Sequence, residues 1–256
     1  MAAIETPLVS VVTPMHNAER FIEDTIKSVQ AQTYSNWEMI LVDDLSDDRS
    51  IEIVNKFRKN DSRIKLIKNK ENLGAAKSRN AGTGVSEGRF VAFLDADDLW
   101  VEDKLEKQVL FALENKQGFI YSSYQFADEK GEATTSSVSV PLSIDYKKAL
   151  KNHIIWTSTV LVDVTLVPKK LVIMPDVRRG QDAATWWQIL RETGTSAYGI
   201  QESLALYRRT NDSLSANKLK AIKRTWSLYR NVEKLSLARS VYSFCFYGYN
   251  AVRKRM

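Results

Sequence analysis

Four short apolar runs, each closing on polar or acidic residues and each parted from the next by a helix-patterned stretch, limit what this chain can fold into. Leu8-Val9-Ser10-Val11-Val12 closes on Thr13-Pro14, and Met39-Ile40-Leu41-Val42 on Asp43-Asp44. Ile64-Lys65-Leu66-Ile67 leads to the turn Asn72-Leu73-Gly74, and Phe90-Val91-Ala92-Phe93-Leu94 closes on Asp95-Ala96-Asp97-Asp98. The intervening segments carry Phe21, Ile22, Ile26 and Val29, then Ile51, Ile53, Val54 and Phe57, then small residues from Ala75 to Val85. Near-continuous apolar strands alternating with helices predict an α/β fold whose mostly parallel sheet is covered on both faces. The handedness of βαβ crossovers then brings the strand ends to one edge.

The second half is less regular. Phe119-Ile120-Tyr121 reads as a strand, Ala127 to Val140 as a polar loop, and His153 to Val162 as an apolar stretch rich in β-branched residues. Asp182 to Arg191 fits a helix, Leu204-Ala205-Leu206-Tyr207 a strand, and the pattern from Lys218 onward is helical. The single Cys245 excludes an intramolecular disulfide framework and a multi-Cys zinc cluster. No apolar run is long enough to span a bilayer, and the first ten residues lack a signal-peptide layout, so a cytoplasmic location is expected.

The net charge of +6 averages two unlike regions. Residues 218–256 carry ten Lys and Arg against Glu233 alone, whereas residues 1–217 hold 27 basic and 30 acidic side chains. The chain is therefore divided into a slightly acidic body and a basic, aromatic, helical tail.

Ligands of open α/β sheets bind outside the carboxyl ends of the strands. Here those ends carry Thr13, Asp43 and Asp44, then Asp95, Asp97 and Asp98. Carboxylates gathered on one rim repel one another unless a cation compensates, and hard oxygen donors suit Mg2+ or Mn2+ with substrate phosphate completing the shell. Taken singly, Asp43-Asp44 could equally cap a helix. A calcium-loop reading of Asp95, Asp97 and Glu106 fails, because Trp100 stands where that loop needs Gly.

Ser10-Val-Val-Thr-Pro-Met-His-Asn17, Ser28-Val-Gln-Ala-Gln32-Thr33, Trp37 through Asp44-x-Ser46, Asn72-x-Gly74-x-x-x-x-Arg79-Asn80 and Gly88 through Asp98 together resemble family 2 glycosyltransferases of the GT-A fold. The likeness is dense from about residue 8 to 105. It implies a nucleotide-binding half (about 1–105), an acceptor-side half (about 106–217) and the tail as a C-terminal extension.

The resemblance also implies roles. Thr13, Pro14, Asn17 and Asp44 would hold the base and ribose, and Asn72, Gly74, Lys77 and Arg79 would form the segment closing over the nucleotide. Asp95 and Asp97 match the DxD pair, Asp97 as direct metal ligand and Asp95 as ribose or metal contact, with Asp98 in support. Gly180-Gln181-Asp182-x-x-x-Trp186 resembles the segment that opens the acceptor-side helix, with Asp182 as the base of an inverting displacement. Gln181 stands where Glu is commoner. Tyr207-Arg208-Arg209-Thr210 resembles a later segment in which Thr210 replaces a His, and Arg208 or Arg209 would supply positive charge toward the diphosphate. Trp156 is a candidate for stacking on a sugar face.

The expected partners are a nucleotide-sugar donor, a UDP-sugar foremost, and a glycan or lipid-linked glycan acceptor. The tail suits an anionic membrane surface at the inner face of the cell membrane, or pairing of two copies. Nucleic acid is not expected, because the acidic rim would repel it. A nucleotidyltransferase would carry a Gly-rich loop after the first strand, where Pro14-Met-His-Asn17 stands instead. A non-catalytic basic binding module would be expected to have lost Asp44, Asp95, Asp97 and Asp182, and all four are present.

Overall fold

The computed structural model describes residues 6–177, 179–209 and 218–253. The chain runs β1 (Val9–Met15), α1 (Ile22–Gln30), β2 (Trp37–Asp43), α2 (Ser50–Asn60), β3 (Ile64–Lys68), α3 (Ala75–Val85), β4 (Phe90–Phe93), β5 (Leu99–Trp100) and α4 (Lys104–Asn115). It continues through β6 (Phe119–Ala127), β7 (Ala133–Val138), β8 (Ser143–Ile144), α5 (Tyr146–Lys151), β9 (Leu161–Asp163), α6 (Gln181–Thr193) and β10 (Ala197–Arg208) to α7 (Lys218–Ser227) and α8 (Leu237–Arg253). All ten strands join one sheet, in the order β3-β2-β1-β4-β9-β6-β10-β5, with β7 on β6 and β8 on β10.

Alternation along the strands explains the two covered faces. Val9 and Val11 of β1 with Phe90 and Ala92 of β4 bury against Ile22, Ile26 and Val29 of α1 and against α2 and α4. Val12, Val91 and Phe93 point the other way, into a core with Trp186 and Trp187 of α6. Both faces of β1 and β4 are buried, which is why these strands read as near-continuous apolar runs, the buried Ser10 of β1 donating to Glu38 of β2.

The first four strands of the apolar pattern, β1 to β4, are parallel, as expected. The rest of the sheet is mixed: β10 is parallel to β6, but β9 runs antiparallel to both β4 and β6, β7 to β6, and β5 and β8 to β10. The chain reaches β9 from α5 through a 3-10 turn at Thr157–Thr159, and the crossover rule, which governs parallel pairs, does not constrain its direction. The expected loop from Ala127 to Val140 is corrected in part: Ala133–Val138 form β7, a hairpin partner of β6. Its side chains are mostly exposed, so no apolar alternation marks it, and the turn is set by Gly131 at φ +84°.

The C-terminal helices pack on the body. Leu228 and Tyr229, in a π-helical turn after α7, and Leu235 are buried in the α6 core. The Tyr229 hydroxyl donates to the Leu150 carbonyl. Glu233, the lone acid of residues 218–256, is buried where Arg191 pairs with it and the Tyr146 hydroxyl donates to it at 2.7 Å. The remaining charge of this region is basic, and α8 exposes Leu237, Val241, Tyr242, Phe246 and Tyr249 at spacings that form one outer stripe. Among the described residues no helix is long and apolar enough to cross a membrane.

Candidate active site

Two clefts open at the carboxyl edge of the sheet. The first, of about 400 Å3, lies where β1 and β4 end, the point at which strand order reverses, and is lined by Pro14, Asn17, Asp44, Arg79, Asp95 and Asp97, with His16 and Phe21. The second, of about 360 Å3, lies on the α6 side and is lined by Tyr124, Trp156, Asp182, Trp186 and Arg224 among others.

Asp44 organises the wall of the first cleft. One carboxylate oxygen accepts from the Asn69 side chain and the Leu73 N–H, both at 2.8 Å, and the other from the Gly74 N–H at 2.7 Å. Burial opposes its charge, but the donors from Asn69, Leu73, Gly74 and Ser78 outweigh burial and hold its carboxyl below the usual range. Gly74, at φ +83°, begins α3 from this clamp. Asn72 is exposed and faces His16 across the cleft at 3.5 Å. The Asn17 side chain accepts from the Asp47 N–H at 3.0 Å. Thr13 lies beneath the cleft floor, with a buried hydroxyl that has no partner.

The acidic rim is built on a short loop held from below. The Thr25 hydroxyl of α1 sits 2.9 Å and 3.0 Å from the carbonyl oxygens of Ala96 and Asp98. The Ser158 hydroxyl accepts from the Asp95 N–H at 3.1 Å and donates to Asp98 at 2.7 Å. Asp98 is buried and also receives the Arg208 N–H at 3.3 Å. Burial and the charges of Asp97 and Asp95 push its carboxyl well above the ordinary range. Burial and the neighbouring Asp95 raise Asp97 to about 6. Arg79 pairs with Asp95, and its own charge is disfavoured by burial but favoured by Asp95, Asp182 and Asp98.

The rim fits a divalent cation. Asp95 and Asp97 repel each other at an open cleft, and two carboxylates are the usual protein share of a Mg2+ or Mn2+ shell completed by phosphate. Among the described residues no cluster of three or more His, Cys, Asp or Glu could hold a metal alone.

The other expected residues are placed as follows. Lys77 pairs with Asp176 at 3.1 Å, tying α3 to the segment before α6. Arg208 is fully buried, 3.2 Å from Asp24 and over the Phe21 ring at 4.7 Å, so it bears on Asp97 through its charge. Arg209 is exposed and lies over Phe126 at 3.6 Å. Thr210 lies outside the described residues. Trp156 stacks with Tyr124 and Tyr207, at 4.9 Å and 4.6 Å, and lines the second cleft. Asp182 stands in the first turn of α6, after Gly180 at φ +79°, and the buried Gln181 side-chain oxygen has no partner.

Sequence reasoning missed His16, Phe21, Ser158 and Arg224. His16 directly follows β1, at the strand end where ligands bind, and Phe21 opens α1, so position alone could have flagged both; Ser158 and Arg224 carry no local signal.

Residues 10–167 match the profile of glycosyl transferase family 2. The chain is similar over 250 residues, at 44% identity and 98% of each protein, to TuaG of Bacillus subtilis (strain 168), a glycosyltransferase named for teichuronic acid biosynthesis. It is 38% identical over 235 residues, 92% of this chain and 90% of the other, to WfgD of Escherichia coli, a UDP-Glc:α-D-GlcNAc-diphosphoundecaprenol β-1,3-glucosyltransferase. Its fold is that of S. aureus TarS solved with UDP-GlcNAc, at a TM-score of 0.71 and 18% identity over 93% of this chain and 71% of that one. A mannosyltransferase of Pyrobaculum calidifontis, solved with GDP-Man and Mn2+, aligns at a TM-score of 0.66 and 21% identity over 88% of this chain and 62% of that one. With strand order, acidic rim and sequence in agreement, the chain belongs to glycosyl transferase family 2.

Proposed function

We propose that this glycosyltransferase moves a sugar from a UDP-sugar to a hydroxyl of a lipid-linked glycan in surface-polysaccharide synthesis, by single displacement with inversion. The observation that carries the reading is Arg79, which lines the first cleft, pairs with Asp95 there, and lies near enough to Asp182 of the second cleft to be stabilised by its charge. TuaG is named for teichuronic acid biosynthesis, WfgD for a diphosphoundecaprenol-linked acceptor, and UDP-sugars are named with WfgD and TarS.

In this reading Pro14, Asn17 and Asp44 border the base and ribose, with Thr13 beneath them, and the Asn72–Arg79 segment closes over the phosphates. Asp95 and Asp97 would hold Mn2+ or Mg2+, which when bound neutralises charge on the departing nucleoside diphosphate. Asp98 and Ser158 fix the loop that presents both carboxylates. Asp182 takes the proton of the attacking hydroxyl from the face opposite the leaving group. Trp156 offers a ring face to the acceptor sugar, and Gln181 a buried acceptor oxygen.

The outer stripe of α8 rests on an anionic membrane surface, with the Lys151 ammonium of α5 over its Tyr242 and Phe246 rings at 4.5 Å and 4.7 Å. Asp182→Asn tests the chemistry: transfer should fall at least ~100-fold while UDP and Mn2+ still raise the melting temperature. Transfer within a few-fold of wild type would refute Asp182 as the base.

A further inference from the structure

We infer that Arg224 recognises a phosphate group of the acceptor, so that the second cleft takes a glycosyl diphosphate rather than a neutral glycan. This deepens the reading above and rests on it.

Arg224 comes from α7, outside the 10–167 segment that carries the family match, and still lines the cleft that holds Asp182. Its place there depends on Gly180. A β-carbon at residue 180 would stand 2.7 Å from Leu228 Cδ1 and 3.3 Å from Arg224 Cδ, so any side chain there would force these two side chains to shift. The glycine, at φ +79°, lets the arginine stem lie across the start of α6.

Among the described residues lining this cleft Arg224 is the only Lys or Arg, and among the described residues it makes no ion pair. A partly buried guanidinium with no anion is a weak design for stability and a good one for binding, because its planar fork matches phosphate oxygens. Trp186, another lining residue, carries a buried indole N–H that has no acceptor among the described residues.

The surroundings fix the direction of the ligand. The His153 ring, in the cleft wall, lies between Trp187 at 5.0 Å and Tyr247 of α8 at 4.6 Å. Trp226 of α7 meets Phe244 of α8 edge-on at 5.5 Å. Arg224 thus stands between the helix that exposes an apolar stripe and the carboxylate of Asp182, whose charge reaches Arg79 on the donor side. Lipid, diphosphate and sugar hydroxyl follow one another in that order in a polyprenyl diphosphate glycan.

The test compares two acceptors that share one sugar, N-acetylglucosamine: one linked through a diphosphate to a phenoxyundecyl chain, the other joined to the same chain as a simple glycoside. Full-length wild type should show a KM for the diphosphate about 10- to 100-fold lower than for the glycoside. Arg224→Gln should erase that difference by raising only the diphosphate KM, and Arg224→Lys should keep part of it. Equal effects of Arg224→Gln on both acceptors, no effect on either, or a wild type indifferent to the diphosphate would each overturn the assignment. UDP release in the presence of either acceptor separates the two levels. Turnover with no diphosphate preference overturns this inference alone, and absence of turnover with both acceptors overturns the underlying reading with it.

Discussion

Asp97→Asn should make the metal-free enzyme more stable while removing its activity. The carboxyl of Asp97 is raised from 3.8 to about 6 by burial and by Asp95. At pH 7 it is ionised in both folded and unfolded chains, and the difference amounts to about 3 kcal/mol against the folded state. A carboxyl raised on folding binds its proton more tightly when folded. Stability therefore falls as pH rises from about 4 to 6 and is level above. Asparagine carries no such charge, so in EDTA at pH 7.5 the variant should gain about 2–3 kcal/mol, or about 5–10 °C in Tm for a chain of this size. At pH 4 the two proteins should melt together. Mn2+ at ~100 times its Kd should add about 2.7 kcal/mol to wild type and far less to the variant. Calorimetry at pH 4, 5.5 and 7.5, with EDTA or Mn2+, reads all of these. A variant no more stable than wild type at pH 7.5, or equally shifted at every pH, would refute the claim that burial, with repulsion from Asp95, makes the Asp97 charge costly until a cation binds.

Further expectations follow from single contacts. Gly180→Ala combines a strained backbone with a 2.7 Å approach to Leu228, so it should cost about 2 kcal/mol or more and weaken acceptor use ahead of UDP binding, read by denaturant melts and separate KM values. Asp44→Ala leaves the Leu73 and Gly74 N–H groups without their acceptor and should cost about 2–3 kcal/mol, with UDP affinity lost in the same titration. Phe246→Glu with Tyr249→Glu should release the protein from anionic vesicles while its melting temperature stays within a few degrees; unchanged co-sedimentation would count against the membrane role of α8. Cutting the chain before residue 218 is a poorer test, because it also strips Leu228 and Tyr229 from the core.

The donor side was legible in the sequence because it is local. β1, β2 and β4 are buried on both faces, so their runs are mostly apolar, and the polar side chains at their ends are where a parallel sheet keeps its ligands. Asp44, Arg79, Asp95 and Asp97 line the same cleft for that reason. The acceptor side was not legible, because it is assembled from segments far apart in the chain. Ser158 reaches the rim from a 3-10 turn without periodicity, and Arg224 arrives from a helix beyond residue 217. β7 escaped because an exposed edge strand needs no apolar alternation. The buried Glu233 shows the same limit: composition marks it as the one acid in a basic region, but only packing reveals that it is the residue fastened to Arg191 and Tyr146.

The three-residue strand β9 has a consequence for how the chain is made. It fills the gap between β4 and β6, and it emerges from the ribosome about seventy residues after β4. Until it arrives, a nascent chain presents Phe90, Val91 and Ala92 along an open, apolar backbone edge, the kind that pairs with neighbouring chains. The sheet closes late, across a long loop, and such closure is slow. Chaperone demand during synthesis should therefore peak before residue 161 is exposed and drop sharply once it is.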